Sequence, residues 1–145
     1  MGRIATILAT LSGDETPERV AQTNGNAVDE PLTASAVRAI IRARRIRDRY
    51  FHAELFADPA WDMLLDLLAA RLEKNRVAVS SLCIAAAVPA TTALRWIKAL
   101  TDRGLFVRSA DPEDGRRVYI ELSDDTARAL AAYLRAVRRI APAVI

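Results

Sequence analysis

Thr91, Thr92, Arg95 and Lys98 interleave with Ala93, Trp96, Ile97 and Leu100, whose steps of three, one and three residues mark the core face of a helix. The polar set therefore faces outward. Hydroxyls near a helix start can meet phosphates or base edges. An arginine one turn further in can pair bidentately with guanine, at roughly 1–3 kcal/mol of discrimination. Leu94, on the same outward side, offers only apolar contact, such as a thymine methyl accepts. Ser80 and Ser81 are expected to serve first as helix caps and second as phosphate donors. Trp96 is expected in the core rather than as a base-stacking platform. The plain alternative is that these polar residues only solvate an ordinary helix.

Arg116 and Arg117 form a second group. Asp111-Pro112 starts a turn, Gly115 is expected to relax its backbone, and the paired arginines then project from the tip. A narrow minor groove attracts arginines through its enhanced negative potential. Asp114 is expected to hold the turn or orient an arginine, and solvated hairpin charges are the plain alternative.

Other reactive groups are sparse. His52 is the only histidine and Cys83 the only cysteine, so neither a metal site nor an internal disulfide is expected. Cys83 takes an inward helix position, where packing is its expected role. No phosphate-binding loop, glycine-rich dinucleotide motif or nucleophile elbow occurs, so neither an enzyme nor a bound cofactor is expected.

The elements that must carry these groups follow from pattern. Val79 to Gly104 reads as a short apolar helix, a tight turn and a longer helix, with Ser80 capping the first and Gly104 ending the second. Leu105 to Leu122 reads as two strands around the acidic turn, with Val118, Ile120 and Leu122 alternating against Tyr119 and Glu121. Val77 with Val79 suggests a short preceding strand. Upstream, Ile40, Ala43, Ile46, Tyr50 and Ala53 predict one helix from near Leu32 to about Phe56, capped by Thr33 or Ser35. Asp58-Pro59 opens another to about Glu73, apolar around much of its circumference. Ser123 caps a last helix, with acids in its first turn and Arg135, Arg138 and Arg139 near its end.

Arg38, Arg42, Arg45 and Arg49 line one face of the first helix, with Arg44 and Arg47 elsewhere. A solvated or salt-bridged face is expected there in preference to DNA contact. Residues Ser12 to Pro31 hold Gly13, Pro17, Asn24, Gly25 and Asn26 with little apolar periodicity, so 1–31 is expected to be a loosely ordered arm ahead of one domain at 32–145.

A chain of 145 residues with 52% hydrophobic content and only 5 glycines suits a single, mostly helical domain with a small sheet. The net charge of +3 is a weak pointer to nucleic acid; the clustering of arginines says more. The segment Ile4 to Leu11 is too short for a bilayer span or a secretory core, so no membrane partner and a cytoplasmic location are expected.

From Trp61 to Leu134 the chain resembles the MarR family of winged helix-turn-helix regulators. The resemblance rests on Ala90-Thr-Thr-Ala-Leu-Arg95, Leu100-Thr-Asp-Arg-Gly-Leu105 and Asp111-Pro-Glu-Asp-Gly-Arg-Arg117 leading to Leu122-Ser123. Ala87 departs from it where such turns often use glycine, and Gly115 where the wing often carries another arginine. The resemblance implies a mainly α fold with a small β-hairpin wing and flanking dimerisation helices. It further implies a homodimer on a palindromic operator in double-stranded DNA, and a small-molecule effector whose lining residues are not legible. A winged-helix protein-interaction module that binds no DNA is the competing expectation.

Overall fold

The computed structural model describes residues 31–141, so the expected arm lies outside the described residues except for Pro31. Five helices and a three-stranded antiparallel sheet make up the domain. They run α1 (Ala34–Ile46), α2 (Pro59–Leu72), β1 (Val77–Ala78), α3 (Val79–Ala85), α4 (Ala90–Asp102), β2 (Phe106–Ala110), β3 (Val118–Leu122) and α5 (Asp124–Ile140). The expected mainly α winged helix-turn-helix is what forms.

The core sits where α2 crosses the other elements. Met63, Leu65, Leu67, Leu68, Ala69 and Ala70 are all buried, so α2 is apolar around most of its circumference, as its sequence implies. Asp58 caps it, its Oδ1 accepting from the Trp61 amide at 3.3 Å, and Pro59 supplies a preset first turn. Against it pack Leu82 of α3, Ala93, Ile97 and Leu100 of α4, Phe106 of β2, Ile120 and Leu122 of β3, and Leu130 and Leu134 of α5. Trp61 meets Tyr133 of α5 edge to face at 5.6 Å.

The first helix is shorter than its apolar spacing predicts. Thr33 caps it, accepting from the Ala36 amide at 3.1 Å, but it ends at Ile46, and two 3-10 turns follow at Arg47–Arg49 and Ala53–Phe56. Ile46 and Tyr50, expected on a buried stripe, are exposed. The chain must turn back between Ile46 and Asp58 for α1 to lie on α2, which a straight helix to Phe56 would prevent. Val37 is the only fully buried residue of α1, with Ile40 and Ile41 packed partly against the core, and ion pairs add to the contact. Arg38 reaches Asp66 at 2.7 Å and Glu73 at 3.0 Å, while Arg44 and Arg45 close on Asp62 at 2.6 and 2.9 Å. Of the arginine face, Arg38 and Arg45 are thus salt-bridged to acids of their own chain, and Arg42 and Arg49 are exposed.

Candidate nucleic-acid interface

Helices α3 and α4 meet at 110°, the angle of a helix-turn-helix. The turn between them passes through Ala87 at φ 57, a left-handed position that glycine occupies without cost. Alanine there explains the departure from the glycine pattern: the turn keeps its shape and holds strain. At the far end, Gly104 at φ 81 terminates α4, and the Leu105 amide bonds back to the Leu100 carbonyl at 3.0 Å.

Helix α3 is not capped by the expected serines. Strand β1 passes straight into α3 at Val79 with Ala78 as the capping residue, so Ser80 already lies inside the first turn and makes no cap bond. Val79, expected in the strand, is helical for the same reason. Helix α4 starts at Ala90 behind Pro89.

The expected division of α4 holds with one correction. Ala93, Ile97 and Leu100 are buried, and Thr91, Leu94, Arg95 and Lys98 are exposed, with Thr92 half-buried. Trp96 is 39% exposed and so does not belong to the core. It lies on the border of the buried face, where a bulky indole is only partly covered. Lys98 is tied to Asp102 one turn on, at 2.8 Å.

The wing is the β2–β3 hairpin, paired from Phe106↔Leu122 to Ala110↔Val118, with β1 added on the other edge of β3. Its tip is built by short-range bonds. Asp111 Oδ1 accepts from the Glu113 amide at 2.9 Å, and the Asp111 amide donates to the Arg117 carbonyl at 2.9 Å. Asp114 Oδ1 accepts from the Arg116 amide at 3.1 Å and from its Nε at 3.3 Å, so Asp114 both holds the turn and orients an arginine. Gly115 does not take a left-handed φ, and a side chain there would meet open space. The turn does not need glycine at that position.

A groove of about 1020 Å³ runs between the helix-turn-helix and the wing. Ser80, Leu94, Arg116 and Arg117 all line it. Two residues not singled out from sequence join them. Arg108 projects from β2, and Ile84, 81% exposed, from α3. Arg108 was not legible by alternation, because period two places it on the face of buried Phe106 and opposite buried Ile120, yet it is exposed. Ile84 sends no signal either, since an isoleucine in an apolar helix reads as core. Ser81 is not part of this groove and lies with Arg38, Asp66 and Glu73 along a smaller cleft of about 320 Å³. Cys83 lines the groove half-buried, and burial pushes its thiol pKa up, away from reactivity. Among the described residues no group of three or more His, Cys, Asp or Glu side chains is arranged to hold a metal ion, and no single helix is long and apolar enough to cross a membrane.

Residues 62–125, from α2 to the start of α5, match the family described as Winged helix DNA-binding domain. Among solved structures, a MepR variant from S. aureus is 17% identical over 75% of this chain and 80% of its own, with a TM-score of 0.51. The transcriptional regulator PcaV from Streptomyces coelicolor is 24% identical over 72% of this chain and 70% of its own, with a TM-score of 0.45. A probable transcriptional regulator from Pseudomonas aeruginosa is 28% identical over 72% of this chain and 79% of its own, with a TM-score of 0.43. No curated protein matches the chain. Over the segment 62–125 the chain is similar to a winged helix DNA-binding domain. The likeness to the MepR structure extends this to a shared MarR-like winged-helix fold.

Proposed function

We propose that the protein is a homodimeric transcriptional regulator that binds double-stranded DNA sequence-specifically, with α4 in the major groove and the wing in the adjacent minor groove. The observation that carries this reading is convergence: Leu94 of the outward α4 face and Arg108, Arg116 and Arg117 of the wing line one continuous groove. Thr91, Thr92, Arg95 and Lys98 read base edges and phosphates from α4, Ser80 and Ser81 contact phosphates from α3, and Arg116 with Arg117 occupies the narrow groove. The domain spans 32–145 and works in the cytoplasm.

The terminal helices and the α1–α2 connection supply the dimer contact in this reading. Tyr50, Phe51, Leu55 and Phe56 of the connection and Ile140 of α5 are exposed apolar side chains that support it. Two-fold symmetry then places the reading helices about 34 Å apart, one DNA turn, and calls for a palindromic operator. An effector fits the cleft of about 550 Å³ between α1, α2 and α5, where Arg44, Arg47, Trp61 and Tyr133 form the walls. Selection of bound sequences from random duplex DNA at physiological salt tests the proposal. A palindromic consensus supports it, and absence of enrichment contradicts it.

Exposed Ile84 and Leu94 favour one competing reading, a winged helix that docks on a protein partner. Salt separates the two. DNA binding weakens steeply as ionic strength rises, through counterion release, and an apolar protein contact does not.

A further inference from the structure

Tyr119 stands on β3, two residues past the wing arginines, and joins three parts of the fold. The Arg76 guanidinium, at the turn leading into β1, lies over its ring at 5.2 Å. Its hydroxyl donates to Asp111 Oδ2 at 3.3 Å, across the hairpin. Asp111 in turn donates its amide to the Arg117 carbonyl at 2.9 Å, closing the base of the wing turn. The strand register seats the ring between neighbours, since Tyr119 pairs with Ala78 of β1 on one side and Ser109 of β2 on the other. Tyr119 first, and Asp111 after it, raise the Arg117 pKa. A fully solvated tip arginine would need none of these partners, and Arg116, bonded only to Asp114 two residues away, has none of them.

We propose that Tyr119, clamped by Arg76, is the positioning residue of the wing: through Asp111 it fixes the hairpin base so that Arg117 is presented to DNA in one orientation. The proposal rests on the DNA-binding reading above and adds the residue that organises its minor-groove half. Arg76 ties that residue to the segment running through β1 into α3. The wing and the helix-turn-helix are thereby set relative to one another by a side-chain contact as well as by the sheet. A hairpin with a loose base would still carry Arg117, but would spread it over many directions and lose affinity to the cost of ordering it on DNA.

A double-mutant cycle tests this, using the duplex selected from random DNA as probe. Tyr119→Phe keeps the ring under Arg76 and removes only the hydroxyl. It is expected to weaken binding about fivefold and to lower the slope of log affinity against log salt by about one, with thermal stability close to that of the unchanged protein. Arg117→Ala is expected to weaken binding similarly, and the double variant to be no weaker than Arg117→Ala alone, because Tyr119 acts through Arg117. Tyr119→Phe combined with Arg95→Ala, by contrast, is expected to multiply the two losses. Losses that multiply for Tyr119→Phe with Arg117→Ala would overturn the clamp and leave DNA binding intact. A full-length protein that enriches no duplex would overturn the DNA reading and the clamp with it.

Discussion

The Nε of Arg44 on α1 donates to Oδ1 of Asp62 on α2 at 2.6 Å, and Asp62 is only 5% exposed. Its second oxygen accepts from Arg45 at 2.9 Å, so the buried carboxylate is filled on both sides. A buried charge is tolerated only with such partners, and removing the carboxylate would strand the largely buried Arg44 guanidinium, while Arg45 keeps Asp48. Asp62→Ala is expected to destabilise the domain by about 3 kcal/mol, measured as a lowered urea midpoint with little change in slope.

Acid should loosen both the α1–α2 contact at Glu73 and the α2–α5 contact at Asp124. Glu73 is held below the usual carboxylate range, chiefly by its hydrogen bond from Arg38, and Asp124 likewise by Arg71. A carboxylate whose pKa is depressed in the folded state contributes stability above its unfolded pKa and loses it as pH falls through the folded value. The melting temperature should therefore decline as pH drops below about 4, where unfolded carboxylates begin to take up protons. Glu73→Gln should make that decline shallower. An acid limb identical in the two proteins would contradict the assignment.

Ala87 offers a test in the opposite direction. At φ 57 its side chain is strained, and its exposure means that removing the methyl empties no core space. Ala87→Gly should raise stability by about 0.5–1 kcal/mol, read as a melting temperature higher by a few degrees. A lower melting temperature would show that the turn is not strained.

How far residue order disclosed this arrangement differs between its parts. The α4 face was legible because burial at Ala93, Ile97 and Leu100 follows helical period, and the wing because Val118, Ile120 and Leu122 alternate inward while its arginines follow an acidic turn. Period alone failed for Trp96, which sits at the edge of its face, and for Ile46 and Tyr50, because the chain has to turn back before Asp58. The capping role of Ser80 was lost to a strand that runs directly into α3. Long-range pairings such as Arg44 with Asp62, or Tyr119 with Asp111 and Arg76, leave no periodic trace, since each depends on which elements the fold brings together.

Base reading and backbone contact should separate cleanly by variant. Arg95→Ala is expected to relax preference at one position of each half-site, at about 1–3 kcal/mol of lost discrimination. Arg108→Ala, from the groove wall, is expected to weaken all sequences alike and reduce the salt slope by about one. Competition of operator and scrambled duplexes against each variant checks both.

The two-groove grip itself is tested most directly by combining Arg95→Ala with Arg116→Ala and measuring affinity for the selected operator by fluorescence anisotropy at fixed salt. Lys98 and Asp102 stay paired on α4 and the wing keeps its Asp111 bonds, so the fold is expected to survive. The account predicts a loss of at least about tenfold, with discrimination against scrambled DNA reduced. Operator affinity unchanged in a protein that still melts like the original would contradict it.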